Sequence, residues 1–305
     1  MKPKLVPIII CGLLSAFLVL RAVNNQHAWA AEAANAVAYT GGEKCAPCHP
    51  EVVSGFKHNI HAKSGHYGVN LSCESCHGQA DAHIQTGDPA RITNPAKIEA
   101  ERAAGICFEC HSRDARLTYW RGSAHNTKNI ACPTCHQVHD GLGREHLLKA
   151  GLERELCLNC HQEVRSALFK RSKHPMRDSS SPTAEGKMEC SSCHNPHGTQ
   201  TRDLIEARSV NDKCYECHFE MRAPVLWEHS PVKENCLVCH APHGSNNDKL
   251  LVTMVPRLCQ QCHLQGRHQS GALPVNSAFL FNRGCLNCHP MVHGSNNPSG
   301  PVLQR

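Results

Sequence analysis

The stretch CLVCHAPHG at residues 236–244 shows the pattern from which the fold and chemistry of this chain follow. Its first five residues form the motif Cys-x-x-Cys-His, which occurs ten times and uses 20 of the 21 cysteines. This spacing is typical of c-type haem attachment, in which two thiols form thioethers to the macrocycle and the adjacent imidazole binds the iron from one face. We therefore predict ten covalently bound c-type haems (haem c, with its iron).

The haems are numbered 1 to 10 in the chain order of their motifs. The predicted thioether-forming cysteines are Cys45, Cys48, Cys73, Cys76, Cys107, Cys110, Cys132, Cys135, Cys157, Cys160, Cys190, Cys193, Cys214, Cys217, Cys236, Cys239, Cys259, Cys262, Cys285 and Cys288. The motif histidines, predicted to bind iron, are His49, His77, His111, His136, His161, His194, His218, His240, His263 and His289.

Zinc and disulfide chemistry are the alternatives for so many cysteines. Paired Cys-x-x-Cys units are common zinc ligands, but a tetrahedral zinc site does not require a histidine after every second cysteine. Disulfide frameworks of secreted chains do not repeat one five-residue unit ten times. The regularity of the motif therefore favours haem.

A larger repeat spans two motifs, and we call the two haems of one repeat a couple. An odd-numbered motif is followed by a lone histidine, and the even-numbered motif after it is followed closely by a trailing histidine. The lone histidines are His61, His125, His174, His229 and His268, and the trailing histidines are His83, His139, His197, His243 and His293. Ten such histidines supply a second imidazole to every iron. His58 competes with His61 in the first couple, and methionine, the rival axial ligand, does not follow the repeat.

Spacing limits which iron a trailing histidine can bind. In CHQVH, His136 and His139 are three residues apart, which is about 10–11 Å of fully extended chain. Axial imidazoles approach one iron from opposite faces of the porphyrin. We therefore expect His139, His197 and His243 each to serve a haem other than that of the adjacent motif.

The composition predicts a fold of mostly coil with a few short α-helices and essentially no β-sheet. Aromatic residues make up only 5% of the chain, glycine and proline are frequent, and alternating strand patterns are nearly absent. One helix is predicted from Pro95 to Gly105, with Asn94 as its N-cap, and another from about Leu156 to Lys170. Porphyrin is expected to fill most of the interior.

Residues 1–30 are predicted to be a cleaved signal peptide. Lys2 and Lys4 precede an apolar stretch from Leu5 to Leu20, and Ala28-Trp29-Ala30 fits a cleavage site. Retention as a membrane anchor is less favoured, because the stretch is shorter than the usual ~20 residues. The net charge of +6 falls to +3 without the three basic residues of this segment, and the basic residues are interpreted as partners of haem propionates. No basic stripe with interleaved aromatic residues indicates a nucleic-acid partner.

Full bis-histidine ligation favours electron transfer over catalysis. Multihaem reductases need at least one open iron, often through a lysine in place of the motif histidine, and no Cys-x-x-Cys-Lys occurs here. The alternatives are a free periplasmic electron shuttle, a cytochrome that polymerises into filaments and, less favoured, a multihaem reductase.

Four segments carry a resemblance to a known family. LWEHSPVKENCLVCHAPHGS (226–245), KRSKHP (170–175), CLNCHPMVHGSNNPSG (285–300) and the terminal LQR resemble the decahaem periplasmic c-type cytochromes of the MtrA/DmsE type. The resemblance covers the whole chain after residue 30, including all ten motifs.

This resemblance implies an extended line of bis-histidine haems in two similar pentahaem halves, residues 31–175 (haems 1–5) and 176–305 (haems 6–10). It also implies a periplasmic protein associated with the outer membrane and seated in a β-barrel porin. Such a cytochrome accepts electrons from a periplasmic or inner-membrane cytochrome. It passes them to an outer-surface multihaem cytochrome or reductase, for example toward metal oxides or dimethyl sulfoxide, and the flow runs inward in iron-oxidising relatives.

Overall fold

The computed structural model describes residues 42–140, 145–179, 186, 188–222, 224–263 and 284–304. The predicted signal peptide and the lone histidine His268 lie outside these residues. By its contacts the chain divides into two units. The described part of the first unit is residues 42–94 and 138–140, and that of the second is residues 95–137 together with the described residues from 145 onward.

Each haem-attachment motif folds as a single helical turn. In eight motifs the histidine N–H donates to the carbonyl of the first cysteine at 2.9–3.0 Å. The other two motifs lie in the α-helices Cys73–His77 and Ala100–His111. An N–H to C=O bond across four residues closes one α-turn, so the spacing of the motif is also the spacing of a helical turn.

The remaining regular structure is short and helical. The other α-helices are Pro50–Phe56, Asp81–Thr86, Ala124–Thr127, Cys132–Cys135, Glu153–Cys157, Gln162–Ala167, Val210–Tyr215, Ser230–Glu234 and Arg257–Gln260. The 3₁₀ turns are His61–Tyr67, Pro89–Arg91, Ala115–Leu117, Glu145–Leu147, Cys190–Ser192, Arg202–Leu204, Phe219–Arg222, Cys236–Val238, Asp248–Leu250, Cys285–Asn287 and Gly300–Val302. β-Structure among the described residues consists of isolated bridges. The prediction of a mostly coil fold with short α-helices and essentially no β-sheet is confirmed.

Both helices predicted from capping signals are wrong in their boundaries. The first begins at Ala100 and continues through Gly105 to His111. The turn required by the haem-attachment motif outweighs the cost of an internal glycine, about 1 kcal/mol. The second is split into Glu153–Cys157 and Gln162–Ala167. His161, at φ −86° and ψ 67°, is not helical and separates the two.

The described residues bury few apolar side chains. The buried apolar residues are Ala80, Ala100, Ala103, Ala104, Trp120, Leu152 and Leu303. Such a set is small for a chain of 305 residues, which ordinarily buries a sizeable core. The fold is therefore organised around the motifs. Within the described ranges, no helix combines the length and the apolarity that crossing a membrane requires.

Candidate haem sites

The two motifs of each couple meet at their first cysteines. In every couple the first thiol of the odd motif lies close to the first thiol of the even motif. The contacts are Cys45 with Cys73, Cys107 with Cys132, Cys157 with Cys190, Cys214 with Cys236, and Cys259 with Cys285. The two-motif repeat of the sequence is therefore also a unit of the structure.

Among the residues that the structure describes, the following eight motif histidines face a histidine from outside the motifs. The pairs, with the distances between ring centroids, are His49–His83 (6.3 Å), His77–His139 (5.7 Å), His136–His197 (6.0 Å), His161–His125 (6.2 Å), His194–His243 (6.0 Å), His218–His174 (6.4 Å), His240–His293 (6.2 Å) and His263–His229 (6.3 Å). A metal–imidazole bond is about 2 Å long, so two rings on opposite sides of one iron have centroids about 6 Å apart. The residues present therefore fit a haem iron between each pair.

The pairs follow a rule in which couples exchange histidines. A trailing histidine faces the even motif of the preceding couple, as His243 faces His194. A lone histidine faces the odd motif of the following couple, as His174 faces His218. The structure thus places His139, His197 and His243 away from the histidines of their own motifs, as their spacing predicts.

The first couple departs from this rule, because its trailing histidine, His83, faces His49 of the same couple. Its lone histidine, His61, is half-buried, and its Nδ1 lies 3.1 Å from the Asn59 Oδ1 atom. His58 is exposed, which favours His61 as the ligand. Ligation by His61, and by His268 beyond the described residues, remains a prediction.

In each of the eight pairs, one of the two rings is fixed by a hydrogen bond from Nδ1 to a backbone carbonyl. At the even haems the fixed ring belongs to the motif histidine. The acceptors are Thr93 for His77 (2.7 Å), His146 for His136 (2.9 Å), Asp203 for His194 (2.7 Å) and Lys249 for His240 (2.8 Å). The same kind of bond joins His289 of haem 10 to Val302 at 2.5 Å. This bond leaves Nε2 for the iron, as in other metal-binding histidines.

At the odd haems the fixed ring is the lone or trailing histidine. The acceptors are Asp88 for His83 (2.9 Å), Pro196 for His125 (2.8 Å), Pro242 for His174 (2.8 Å) and Val292 for His229 (2.9 Å). Pro196, Pro242 and Val292 each precede a trailing histidine. The lone histidine of one couple is therefore held by the segment that carries the trailing histidine of the next.

Three of the even-haem carbonyls, those of His146, Asp203 and Lys249, come from a backbone feature that sequence reasoning missed. The pairs His146-Leu147, Asp203-Leu204 and Lys249-Leu250 all have positive φ, from 53° to 60°. Each pair leads into an antiparallel bridge to a motif histidine: His136 with Leu148, His194 with Ile205, and His240 with Leu251. The recurring apolar dipeptides Leu147-Leu148, Leu204-Ile205 and Leu250-Leu251 are the signal that could have revealed it.

A glycine follows three of the trailing histidines for steric reasons. Gly198, Gly244 and Gly294 have φ values of 118°, 153° and 120°, which favour glycine. A Cβ atom at Gly198 or Gly244 would overlap the backbone carbonyl of Tyr119 or Ala167. The glycine that follows the histidine in CHNPHG and CHAPHG therefore lets the segment with the trailing histidine approach the backbone of the preceding couple closely.

Burial favours the neutral form of the trailing histidines that face even motifs. It lowers the pKa of His197 to about 4. It also lowers the pKa values of the other trailing histidines that face even motifs, His139, His243 and His293. The neutral imidazole is the form that binds a metal, so these sites are prepared for ligation at neutral pH.

Comparisons with known proteins agree with this geometry. The family described as "Doubled CXXCH motif" matches residues 181–223 and 229–268, and "Cytochrome c-type protein NrfB-like" matches residues 73–160. The chain is 39% identical over 281 residues to multiheme cytochrome MtrA of Shewanella baltica (strain OS185), covering 87% of this chain and 81% of that protein. It is 27% identical over 127 residues to cytochrome c-type protein NrfB of Escherichia coli O6:H1, covering 40% of this chain and 66% of that protein.

The repeated motif, the facing imidazoles and these matches define a multihaem c-type cytochrome, with covalently bound c-type haem and an electron-transfer function. Within that class the chain belongs to the MtrA family of multihaem cytochromes. The family resemblance inferred from residues 170–175, 226–245 and 285–300 is confirmed.

Proposed function

We propose that this protein is a decahaem electron conduit rather than an enzyme. The observation that carries the proposal is the set of eight facing imidazole pairs, because each combines one motif histidine with one lone or trailing histidine. An iron bound by two imidazoles has no position for a substrate, but it can still accept and donate an electron. With His61 and His268 the chain has a second imidazole for all ten irons.

Exchange of histidines between couples suits this function. Cys214 contacts Cys236 within one couple, while His243 and His174 connect neighbouring couples. Successive haems are thereby tied to one another by short stretches of chain. Close, fixed spacing of the haems is what rapid electron hopping requires.

The proposed setting is the periplasmic side of the outer membrane, after export by a signal peptide of residues 1–30. Coil backbone is tolerated at membrane depth only inside protein, so a mostly coil cytochrome needs a sheath such as a porin barrel. Ten haems in line need to advance only about 4–5 Å each to cross a membrane of ~40–45 Å. The proposed partners are that porin, a periplasmic or inner-membrane cytochrome as donor, and an outer-surface multihaem cytochrome or reductase. Two pentahaem halves, residues 31–175 and 176–305, belong to the same proposal.

Two measurements on the purified protein test the ligation. The pyridine haemochrome assay, scaled to protein mass, should give ten haems per chain, and the ferric protein should show only low-spin electron paramagnetic resonance signals. A high-spin signal equivalent to one haem per molecule would favour the reductase alternative. Rapid uptake of carbon monoxide by the reduced protein would do the same.

The setting is tested by expressing the tagged full-length chain in its native host and solubilising the membranes gently. A conduit should co-purify with an outer-membrane porin. Recovery entirely as a soluble periplasmic monomer would instead support the shuttle, and fibres would support the polymer.

A further inference from the structure

Haem 7 has an acidic neighbour at its motif histidine. The Nδ1 atom of His218 lies 3.6 Å from the Glu220 Oε1 atom. On the opposite ring, His174, the Nδ1 atom donates to the Pro242 carbonyl at 2.8 Å. The two rings face each other with centroids 6.4 Å apart. Haem 7 thus has a hydrogen-bonded carbonyl at one imidazole and a carboxylate charge close to the other.

This arrangement differs from the other pairs among the described residues. In those seven pairs a backbone carbonyl accepts from only one of the two rings, the motif histidine at even haems and the lone or trailing histidine at odd haems. Glu220 places a carboxylate charge 3.6 Å from the motif histidine, the ring to which no backbone carbonyl is bonded in the other odd-haem pairs. It lies on the 3₁₀ turn Phe219–Arg222, which begins directly after the motif.

A carboxylate near a metal-binding imidazole can act by accepting a hydrogen bond from the ring or by its charge alone. At 3.6 Å from Nδ1 the Glu220 carboxylate is too far away to accept a hydrogen bond from His218, so it acts through its negative charge. A nearby negative charge favours ferric over ferrous iron, which lowers the reduction potential. The half-exposed side chains, 56% for His218 and 52% for Glu220, allow solvent to screen part of this effect.

We propose that the Glu220 carboxylate, through its charge beside His218, lowers the reduction potential of haem 7. Haem 7 is then a low-potential point within the second unit, which an electron must pass on its way along the chain. This inference rests on the proposed ligation of haem 7 by His174 and His218.

The test is a spectroscopic redox titration of the holoprotein carrying Glu220→Gln, after the haem assay has shown full loading. One component, about a tenth of the total absorbance change, should move to higher potential while the rest of the curve stays in place. Glu220→Asp, which keeps the charge, should restore most of the wild-type curve. Glu216→Gln is the matched control, because Glu216 lies equally near His218 in sequence but pairs with the Lys213 ammonium at 2.7 Å.

A separate variant distinguishes failure of the tuning from failure of the ligation. His174→Met should displace the same component upward, since methionine ligation raises the potential. If His174→Met displaces a component and Glu220→Gln does not, haem 7 is ligated as proposed and Glu220 does not tune it. If neither variant displaces a component, the ligation itself is wrong. An equal shift in Glu216→Gln would also overturn the proposal, because it would show a general charge effect.

Discussion

The first couple of motifs and the couple at residues 214–240 differ in where their trailing and lone histidines are used. In the first couple the trailing histidine, His83, faces the motif histidine His49 of its own couple. In the later couple the trailing histidine His243 faces His194 of the couple before it, and the lone histidine His229 faces His263 of the couple after it. A trailing histidine is therefore exchanged wherever another couple comes before its own in the sequence, as it also is for His293, which faces His240. A terminal couple, with no predecessor, uses its own trailing histidine.

The hydrogen bonds that fix histidines of these two couples also differ: one is local in sequence and the other joins two couples. His83 donates to the Asp88 carbonyl, five residues away in sequence, in a turn at the end of the helix Asp81–Thr86. His229 donates to the Val292 carbonyl, 63 residues away. His83 of the first couple is thus fixed by local chain, whereas His229 of the later couple is fixed by a neighbouring couple. Damage to a ligand should remain local in the first case and spread in the second.

The largest expected effect comes from replacing the two trailing histidines. His243→Met and His83→Met should each raise the potential of one haem, haem 6 or haem 1. His243→Met should also lower the free energy of unfolding by about 2–4 kcal/mol, because it weakens the attachment between couples. Redox titration and thermal unfolding of the two holoproteins provide the comparison. Equal losses of stability would show that exchanged ligands do not hold the couples together.

A second, smaller loss of stability is expected from replacing Gly244, the glycine beside the trailing histidine His243. Gly244→Ala places a Cβ against the Ala167 carbonyl and should cost about 2 kcal/mol or more. Gly151→Ala is the matched control, because no atom lies within 4 Å of the Cβ position there, and it should change stability by no more than ~0.5 kcal/mol. Chemical denaturation measures both. Similar values for the two variants would contradict the steric account of the HG sequence.

The Asn195 side chain connects the trailing histidine His197 to the preceding couple. Asn195 is 5% exposed; its Nδ2 donates to the Arg116 carbonyl at 3.0 Å, and its Oδ1 accepts from the His197 N–H at 3.1 Å. Asn195→Ala should cost about 1–3 kcal/mol, because it leaves buried polar groups unpaired. Asn195→Asp retains the acceptor for His197 but brings a buried negative charge against the Arg116 carbonyl, so it should cost at least as much as the alanine variant. An alanine variant as stable as wild type would show that this bridge does not fix the trailing histidine.

The smallest effect is expected for the ion pair between Arg171 and Asp248. The pair is 2.9 Å long, and its side chains are 72% and 74% exposed. Asp248→Asn should change the unfolding free energy by at most about 1 kcal/mol, and added salt should remove the difference. The measurement is denaturation at low and high ionic strength. A larger, salt-independent loss would mean that Asp248 holds the neighbouring Lys249 carbonyl in place.

Sequence reasoning succeeded where the constraint was local and periodic. The couple repeat, the mostly coil fold and the separation of His139 from its own motif all follow from spacing along the chain. It failed at the helix predicted from Pro95 to Gly105, because capping preferences are weaker than the helical turn that Cys107 to His111 impose. It also chose His61 over His58 only by its place in the repeat, whereas the structure shows their different burial and the contact of His61 with Asn59.

The sequence by itself determined the kind of cofactor, the division into couples and the supply of second imidazoles, because these depend on residue type and spacing. The tertiary structure alone decided which histidines face each other and which carbonyl fixes each ring. These contacts join residues up to 71 positions apart, as between His125 and Pro196. They depend on left-handed residues such as Lys249, whose conformation arises from packing around the motifs rather than from its own preference.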